Sequence, residues 1–276
     1  MNMKGKTVVI TGANSGIGFA TAAGLARLGA TVIMACRDKG RGQEARNNII
    51  STTGNPSVEL LLVDLASQQS IREAVGSFKA GHNRLDVLIN NAAVFKFTRA
   101  VSPDGLELMF AVNHLGPFLL TNLLLDVLQA SAPARVLTVT APSTVPLDFD
   151  DLQGERKFSA AQAFGASKMC NLLFTYELAR RVEGAGVTAN AIHPGLAKSN
   201  LMREANPIMR WIANLMSGAP EKAAETPVYL ASAPEVATVS GQFFRDKKPI
   251  NSNAYSHDRA VQNRLWEISA TLANPA

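Results

Sequence analysis

The feature that most constrains this chain is a glycine-rich turn between a strand-like run and a helix-like segment near its N-terminus. The apolar run Thr7–Thr11 leads directly into the string TGANSGIG, in which Gly12, Gly16 and Gly18 are the glycines. Such glycines permit a tight turn, let the backbone approach a pyrophosphate and let the helix pack closely on the strand. Three glycines alone are also typical of a plain turn. The strand before them and the helix after them favour a dinucleotide phosphate site at a helix N-terminus.

Strand-like runs alternate with helix-length segments along the chain, which predicts a parallel sheet with helices on both faces. The runs are Thr7–Thr11, Thr31–Cys36, Val58–Val63, Asp86–Asn90, Arg135–Thr140, Val187–Ile192 and a short seventh at Gln242–Phe244. The helical segments include Gly16–Leu28, Gln69–Phe78, Leu106–Leu128 and Phe164–Glu183. We therefore predict an α/β fold with a doubly wound, mainly parallel seven-stranded Rossmann sheet. It forms a single domain over residues 1–276, with a substrate-side loop at 142–163 and a lid at 199–218.

Composition and charge exclude several function classes. The net charge is +5 and no block of Lys and Arg occurs, so nucleic-acid binding is not predicted. The two cysteines show no metal-ligand spacing, and reduced, buried thiols are expected. The first strand begins near residue 6 and no apolar run is long enough for a bilayer. We expect a cytoplasmic protein without a signal peptide, a membrane span or a metal.

The end of the second predicted strand distinguishes NAD from NADP. An acidic residue at this position binds the ribose 2′-hydroxyl, whereas an arginine accommodates a 2′-phosphate. The string ACRD places Arg37 at this position and Asp38 after it. A planar guanidinium suits a phosphate, although a loop arginine can also be simply solvated. We predict that NADP(H) is preferred over NAD(H).

Several strings together resemble one known family. They are TGANSGIG, ACRD, LDVLINNAA, VNHLGPFLLTNLLL, ELARR, HPG and RLWEISATL. From about Lys4 to Leu272 the chain resembles the short-chain dehydrogenase/reductase superfamily, and within it the branch of retinol dehydrogenases and protochlorophyllide reductase. The resemblance implies that Asn91 ties strands together and that Asn113 belongs to a proton relay.

The motif and the resemblance together predict a cofactor site. The turn contributes six residues, the adenine side follows the second and third strands, and the nicotinamide side includes a lysine and the HPG string. The predicted residues are Gly12, Asn14, Ser15, Gly16, Ile17, Gly18, Arg37, Asp64, Leu65, Asn90, Ala92, Lys168, Pro194, Gly195 and Ser199.

The chain departs from the resembling family at the catalytic centre. Family members carry Tyr-x-x-x-Lys on one helix face, and here the string FGASK has Lys168 but Phe164. The strand-end serine of the family corresponds to Ala141, with Ser143 or Thr144 nearby as alternative hydroxyls. The remaining catalytic candidates are Lys168 and Asn113.

These replacements leave three functional hypotheses open. The first is an NADP(H)-dependent oxidoreductase acting on a small hydrophobic carbonyl, alcohol or activated alkene. Loss of a positioned acid costs roughly 10²–10⁴-fold in rate, and loss of an oxyanion donor on the order of 10²–10³-fold. The second is a non-redox enzyme, a cyclase, isomerase or dehydratase. The third is a cofactor-binding pseudoenzyme, because a fold alone does not fix a function.

Two further patterns concern partners. The string NPIMRWIANLM, residues 206–216, has a broad apolar face at helical spacing. That pattern is typical of a core helix or of a lid over a hydrophobic ligand, and we predict the lid and a hydrophobic small-molecule substrate. The segments Leu106–Leu128 and Phe164–Glu183 resemble the helices of the family's four-helix interface. Their apolar residues exceed one helix face, so each helix is buried on more than one side, against its own chain or a second copy. We predict a homodimer.

Overall fold

The computed structural model describes residues 1–195 and 218–273. The described strands are β1 (Thr7–Thr11), β2 (Thr31–Cys36), β3 (Val58–Leu62), β4 (Val87–Asn90), β5 (Ala134–Val139), β6 (Val187–Ile192), β7 (Phe243–Arg245) and β8 (Lys248–Ile250). The described α-helices are α1 (Gly16–Arg27), α2 (Lys39–Thr53), α3 (Gln68–Gly81), α4 (Leu108–Phe110), α5 (Gly116–Leu123), α6 (Leu125–Ala130), α7 (Ala160–Arg181), α8 (Pro220–Ser232) and α9 (Arg259–Ala273).

The strand order places a switch point at the centre of the sheet. The order is β3-β2-β1-β4-β5-β6-β7-β8, and every neighbouring pair is parallel except β7 and β8. The chain runs outward from β1 through β2 to β3, then crosses back to β4 on the other side of β1. In open α/β sheets the crevice outside the carboxyl ends of such strands binds ligands. The predicted doubly wound Rossmann-type fold is confirmed.

The core lies on both faces of this sheet because successive strand residues point to opposite sides. Val9 belongs to a cluster with buried residues of α3, α5, α7 and α9. Val8 and Ile10 belong to a second cluster with α1, α2 and α8. Burial on both faces explains why β1 reads as an uninterrupted apolar run rather than an alternating one.

The predicted number of strands is wrong by one, because the described residues form an eight-stranded sheet. β8 pairs antiparallel with β7 across the two residues Asp246 and Lys247, whose φ angles are +49° and +63°. A two-residue hairpin needs positive φ at its centre, and the usual signal is Asn-Gly or Asp-Gly. The string RDKK lacks that glycine, so the sequence contains no recognisable signal for this hairpin.

The predicted long helix at Leu106–Leu128 is broken into several pieces. α4 leads into a π-helical turn, Ala111–Leu115, in which the Gly116 amide donates to the Ala111 carbonyl. α5 and α6 follow, and Leu124 separates them. The string VNHLG thus occupies a wider turn than an α-helix, a feature frequent at functional sites.

The C-terminal helix α9 packs on apolar residues of α5 and α7, which lie in the two segments predicted to form a dimer interface. The ring centroid of Trp266 lies 4.9 Å from that of Phe118 and 5.9 Å from that of Phe174. Side-chain donors of Gln68 and Arg72 reach the carbonyls of Leu272 and Ala273 at the end of α9. The surplus apolar residues of α5 and α7 are therefore covered within the chain.

Candidate active site

The glycine-rich turn has the geometry of a phosphate cradle. Gly12 and Gly16 have φ angles of +67° and +54°, which side-chain-bearing residues rarely adopt. A Cβ on Gly18 would lie 2.4 Å from the Gly12 carbonyl oxygen. Ser15 precedes α1 in an extended conformation and its hydroxyl does not cap the helix. The free N–H groups at the start of α1 remain available to an anion.

The ends of β1 and β4 are fastened together beside this turn. The Thr11 hydroxyl oxygen accepts the amides of Asn91 at 2.9 Å and Ala92 at 3.0 Å. The Asn91 side chain donates to the Thr11 carbonyl at 2.8 Å, so it links the two strands. Asn90 donates to the Thr121 hydroxyl, and its Oδ1 is buried without a hydrogen-bond partner in the described structure. These contacts hold Asn90 and Ala92 at the switch point.

The adenine side of the predicted site brings Arg37 and Asp64 together. Arg37 Nη1 lies 3.9 Å from Asp64 Oδ2, and about half of the Arg37 side chain is exposed. Asp38 instead caps α2: it accepts the Arg41 amide at 2.9 Å and Arg41 Nε at 3.0 Å. These hydrogen bonds lower the pKa of Asp38. Leu65 is buried in the core beside this group.

Lys168 is a buried ammonium group on α7. Its side chain lies in the interior, and burial lowers its pKa to about 8. Within residues 1–195 and 218–273 no carboxylate forms an ion pair with it. Its Nζ lies 5.0 Å from the centroid of the Phe164 ring, one helical turn earlier. The structure thus brings together Phe164 and Lys168, the first and last residues of the FGASK string.

Phe164 forms part of an aromatic wall. Its ring packs edge-on against Phe95 at 5.4 Å, and Phe95 packs against Phe97 at 5.0 Å. Phe97 is 40% exposed, so this wall reaches the surface. The sequence analysis missed Phe95 and Phe97, although the alternating string VFKF directly after the LDVLINNAA string carries them both.

The hydroxyl groups near Ala141 are engaged with the backbone of α7. The Thr140 hydroxyl donates to the Lys168 carbonyl at 3.0 Å. The Ser143 hydroxyl donates to the Gly165 carbonyl at 2.8 Å and accepts the Val145 amide. Each hydroxyl has one proton, so neither Thr140 nor Ser143 has one left for a substrate oxygen in this arrangement. Ala141 itself contributes only a methyl group.

Asn113 lies on the π-helical turn and connects three elements. Its Oδ1 accepts the Val94 amide at 2.8 Å, and its Nδ2 donates to the Val94 carbonyl and to the Ser167 hydroxyl, each at 3.0 Å. Ser167 in turn donates to the Phe164 carbonyl. Asn113 therefore fixes the loop after β4 to the first turns of α7, where Phe164 and Lys168 lie.

The remaining predicted residues are described only in part. Pro194 and Gly195 follow β6, and Gly195 has a φ angle of +76°. Ser199 lies outside the described residues, as does the predicted lid at 199–218 except for Gly218. The predicted loop at 142–163 is irregular up to residue 159, and α7 begins at Ala160.

A cavity of about 250 Å³ lies beside the site rather than over Lys168. It is bounded by the first turns of α7, including Ser167, by the loop at 145–159 and by Glu107 and Phe110 at α4. Gln153 fastens this loop, because its Oε1 accepts the Glu107 amide at 2.7 Å. Burial raises the pKa of Glu107, whose carboxylate caps α4. Ser167 borders both this cavity and the Asn113 contacts, whereas Lys168 does not line the cavity.

A doubly wound sheet with a glycine cradle at its switch point, and a buried lysine beside it, defines a class of nucleotide-binding oxidoreductases. The family model described as short chain dehydrogenase matches residues 6–209. Retinol dehydrogenase 14 from Homo sapiens is 44% identical over 98% of this chain and 87% of its own length. Retinol dehydrogenase 13 from Homo sapiens is 44% identical over 97% of this chain and 84% of its own length. A crystal structure of an uncharacterised protein from Mycobacterium Paratuberculosis is 34% identical, with a TM-score of 0.79 over 99% of this chain and 95% of that one.

The chain therefore belongs to the short-chain dehydrogenase family, and it is an oxidoreductase of the short-chain type. Proteins of this family bind nicotinamide cofactors and are commonly oligomeric.

The predicted cytoplasmic location is wrong. The relatives include retinol dehydrogenases 11–14, which are membrane-associated. In the described ranges 1–195 and 218–273, no helix is both long and apolar enough to cross a bilayer. The sequence argument considered spanning segments alone, whereas surface helices and lipid anchors attach proteins to membranes without one.

Proposed function

We propose that this protein is an NADP(H)-dependent oxidoreductase with an altered proton supply, acting on a small hydrophobic carbonyl, alcohol or activated alkene. The observation that carries the proposal is Lys168, which is buried beside Phe164 where the resembling family places its phenol. A buried ammonium group without a carboxylate partner is costly to maintain, and a bound anionic cofactor would offset that cost.

The residues present fit a dinucleotide. The positive φ angles of Gly12 and Gly16 and the close approach of Gly18 to Gly12 leave room for a pyrophosphate at the start of α1. The Asn90 Oδ1 has no partner among the described residues and lies at the same switch point. When bound, the cofactor supplies or accepts a hydride at the nicotinamide ring.

The preference for NADP(H) is supported by the hydrogen bonds that the Asp38 carboxylate already accepts within the chain. Its carboxylate is held by Arg41, which disfavours a second role as acceptor for ribose hydroxyls. Arg37 is exposed and has a planar fork suited to a 2′-phosphate.

Arg37→Ala should weaken NADP(H) binding selectively. The control is Arg27→Ala, which removes an exposed charge at the end of α1. Equal effects of Arg37→Ala on NADP(H) and NAD(H) in fluorescence titrations would contradict the assignment.

The residues around the reacting centre handle protons poorly. Phe164 has no proton to donate, and the hydroxyls of Thr140 and Ser143 face carbonyls of α7. Lys168 is the remaining acid, because its pKa of about 8 keeps it mostly protonated at neutral pH while making it a better donor than an ordinary lysine. An activated alkene suits this site because reduction leaves a delocalised enolate rather than a localised alkoxide.

A hydrophobic substrate is supported by the aromatic wall. Phe95, Phe97 and Phe164 form a connected apolar surface from the reactive lysine to the exterior. Aromatic edges and faces bind flat apolar molecules favourably. The matched relatives are named for retinol, a compound of this class, which makes retinaldehyde with NADPH a suitable assay pair.

The test restores the two missing oxygen atoms. Phe keeps the ring of Tyr and Ala keeps the backbone of Ser, so Phe164→Tyr with Ala141→Ser should fit the site. We expect NADPH-dependent reduction of retinaldehyde to rise by at least about tenfold over the parent, a part of the usual general-acid contribution. Phe95→Tyr, which adds a phenol elsewhere on the wall, is the matched control. Cofactor binding should be similar in all three proteins.

The alternative is that this member of the oxidoreductase family has lost redox turnover and is a non-redox enzyme or a cofactor-binding pseudoenzyme. The engaged hydroxyls of Thr140 and Ser143 favour it. No gain in the double variant with cofactor still bound would support that alternative. Fast carbonyl reduction by the parent would instead show that Lys168 or a relayed water already supplies the proton.

The homodimer remains a prediction. Because α9 covers apolar residues of α5 and α7 within the chain, those residues alone do not require a second copy. Light scattering that shows only a single-chain particle at micromolar concentration would contradict the symmetric dimer.

A further inference from the structure

The π-helical turn is held from two sides by neighbouring residues. Asn113 faces Val94 and Ser167, whereas His114 faces the C-terminal helix α9. A π turn is wider than an α turn and is rare, so it persists where tertiary contacts fix it. The Asn113 contacts belong to the candidate active site described above. The His114 contacts do not, and the proposed function leaves them unused.

His114 is completely buried and makes one hydrogen bond in the described structure. Its Nε2 lies 2.8 Å from the Ser269 hydroxyl oxygen. That hydroxyl donates its single proton to the Leu265 carbonyl at 2.7 Å, so the histidine Nε2–H must be the donor to Ser269. Its Nδ1 is buried without a partner. Burial lowers the pKa of His114 to about 3, so the ring is neutral under ordinary conditions.

The surroundings leave His114 no other polar anchor. The rings of Phe110, Phe118 and Phe174 lie 5.3, 6.3 and 6.2 Å from it, centroid to centroid. These rings pack around the imidazole but offer it no hydrogen bond. Among the described residues, Ser269 is therefore the polar contact that orients the His114 ring.

We propose that Ser269 of α9 is a positioning residue for Asn113, acting through His114. The hydrogen bond from His114 to Ser269 sets the π turn so that the Asn113 amide reaches Val94 and Ser167 together. The C-terminal helix thereby completes the relay side of the active site from within the same chain. This inference deepens the proposed function, and its relevance to turnover rests on that function.

The first test uses backbone amide exchange, which does not depend on activity. The Val94 amide donates to Asn113, whereas the nearby Ala92 amide donates to Thr11. In Ser269→Ala the Val94 amide should exchange about tenfold faster by NMR, the change expected when a hydrogen bond of ordinary strength is weakened. The Ala92 amide should keep its rate. Thr271→Ala is the matched control, because the Thr271 hydroxyl makes the same type of bond to Glu267 on the exposed side of α9.

The second test measures turnover in the Phe164→Tyr, Ala141→Ser background with NADPH and retinaldehyde. Adding Ser269→Ala should lower kcat at least about threefold, a fraction of the contribution of proton transfer, while KM for NADPH stays the same. Ser269→Thr, which keeps the hydroxyl, should restore kcat. If no redox activity is detected in any of these variants, that result counts against the proposed function. The Val94 exchange rate still tests the role of Ser269.

Unchanged Val94 exchange in Ser269→Ala overturns the proposal, and so does an equal acceleration at Ala92 or in Thr271→Ala. If Ser269→Ala does not fold, His114→Gln and His114→Met provide the same comparison. Glutamine retains an N–H that can reach Ser269 and should keep Val94 protected, whereas methionine should not. Equal Val94 exchange in these two variants overturns the proposal.

Discussion

At the scale of single residues, Lys168 shows how a functional group is kept at a cost to stability. Its ammonium group is buried, pairs with no carboxylate in the described structure and contacts an aromatic ring 5.0 Å away. Burial removes this group from water and lowers its pKa to about 8, since no carboxylate of the described structure compensates the desolvation. The folded chain therefore binds this proton less tightly than the unfolded chain does.

We expect Lys168→Met to stabilise the cofactor-free protein. Lowering the pKa from 10.5 to about 8 corresponds to roughly 3 kcal/mol at neutral pH. Methionine fills a similar volume without a charge, so the free energy of unfolding should rise by up to about that amount in urea titrations. Lys222→Met, at an exposed lysine, is the control and should change little. A large loss of stability in Lys168→Met would contradict this description of the buried ammonium group.

The same lysine predicts a pH dependence with a definite sign. Between pH 8 and 10.5 the unfolded chain holds more protons at this group than the folded chain, so the wild-type free energy of unfolding should increase through that window. The increase should be absent in Lys168→Met. Urea titrations of both proteins at several pH values, compared as differences, measure it. Parallel curves for the two proteins would show that Lys168 does not titrate there.

At the scale of elements, the position of α1 depends on Gly18, which is needed for close packing rather than for a turn. A Cβ on Gly18 would lie 2.4 Å from the Gly12 carbonyl oxygen and 2.5 Å from Asn91 Nδ2. Gly18→Ala should therefore destabilise the protein by about 1–3 kcal/mol, as overpacking does, and weaken cofactor binding. Gly76→Ala is the matched control within α3, where nothing lies within 4 Å of the added atom. That control should be neutral or stabilise by up to about 1 kcal/mol.

The sequence predicted strands accurately where a continuous apolar run marked them. Thr7–Thr11, Thr31–Cys36 and Val187–Ile192 were predicted with the bounds that the structure shows. The β7–β8 hairpin was missed because Asp246 and Lys247 adopt positive φ without a glycine. The π turn at Ala111–Leu115 was missed because apolar spacing does not separate an α turn from a π turn, and tertiary contacts of Asn113 and His114 decide between them.

The candidate site was predictable as a set of positions but not as a set of interactions. Strings such as TGANSGIG and FGASK locate Gly12 and Lys168, since parallel strands end at one edge of the sheet. The string APST left Ser143 open as a replacement hydroxyl, and only its contact with the Gly165 carbonyl shows that its proton is engaged. The sequence alone could not assign Phe97 to the site, because only the structure shows that its ring extends the aromatic wall of Phe95 and Phe164.

At the scale of the whole molecule, α9 covers apolar residues of the two helices in which the sequence analysis predicted a dimer interface. Trp266 lies against Phe118 and Phe174, and the Arg181 guanidinium carbon lies 4.3 Å from its ring centroid. The C-terminal helix closes one face of the molecule in this way. The apolar character of α5 and α7 therefore indicates burial but does not indicate which chain provides it.

We expect Trp266→Ala to lower the free energy of unfolding by about 2–4 kcal/mol, since a large ring is removed from a packed face. Trp266→Phe keeps a ring and should lose less than half of that. Urea midpoints measure both variants. The alanine variant should also associate more readily in light scattering, because it exposes apolar surface of α5 and α7. An unchanged midpoint would show that α9 contributes little to the packing of the molecule.

Both cysteines of the chain are free and buried, Cys36 beside the glycine-rich turn and Cys170 on α7. Burial raises the pKa of Cys36 to about 11 and also raises that of Cys170. Thiolates react with alkylating reagents and protonated thiols do not, so labelling of either cysteine requires the structure to open. Cys36 contacts the backbone of Ala13 and Asn14, so bound dinucleotide should slow its alkylation more than that of Cys170. Mass spectrometry of alkylated peptides would then report the opening of the two halves of the site separately, in the unmodified protein.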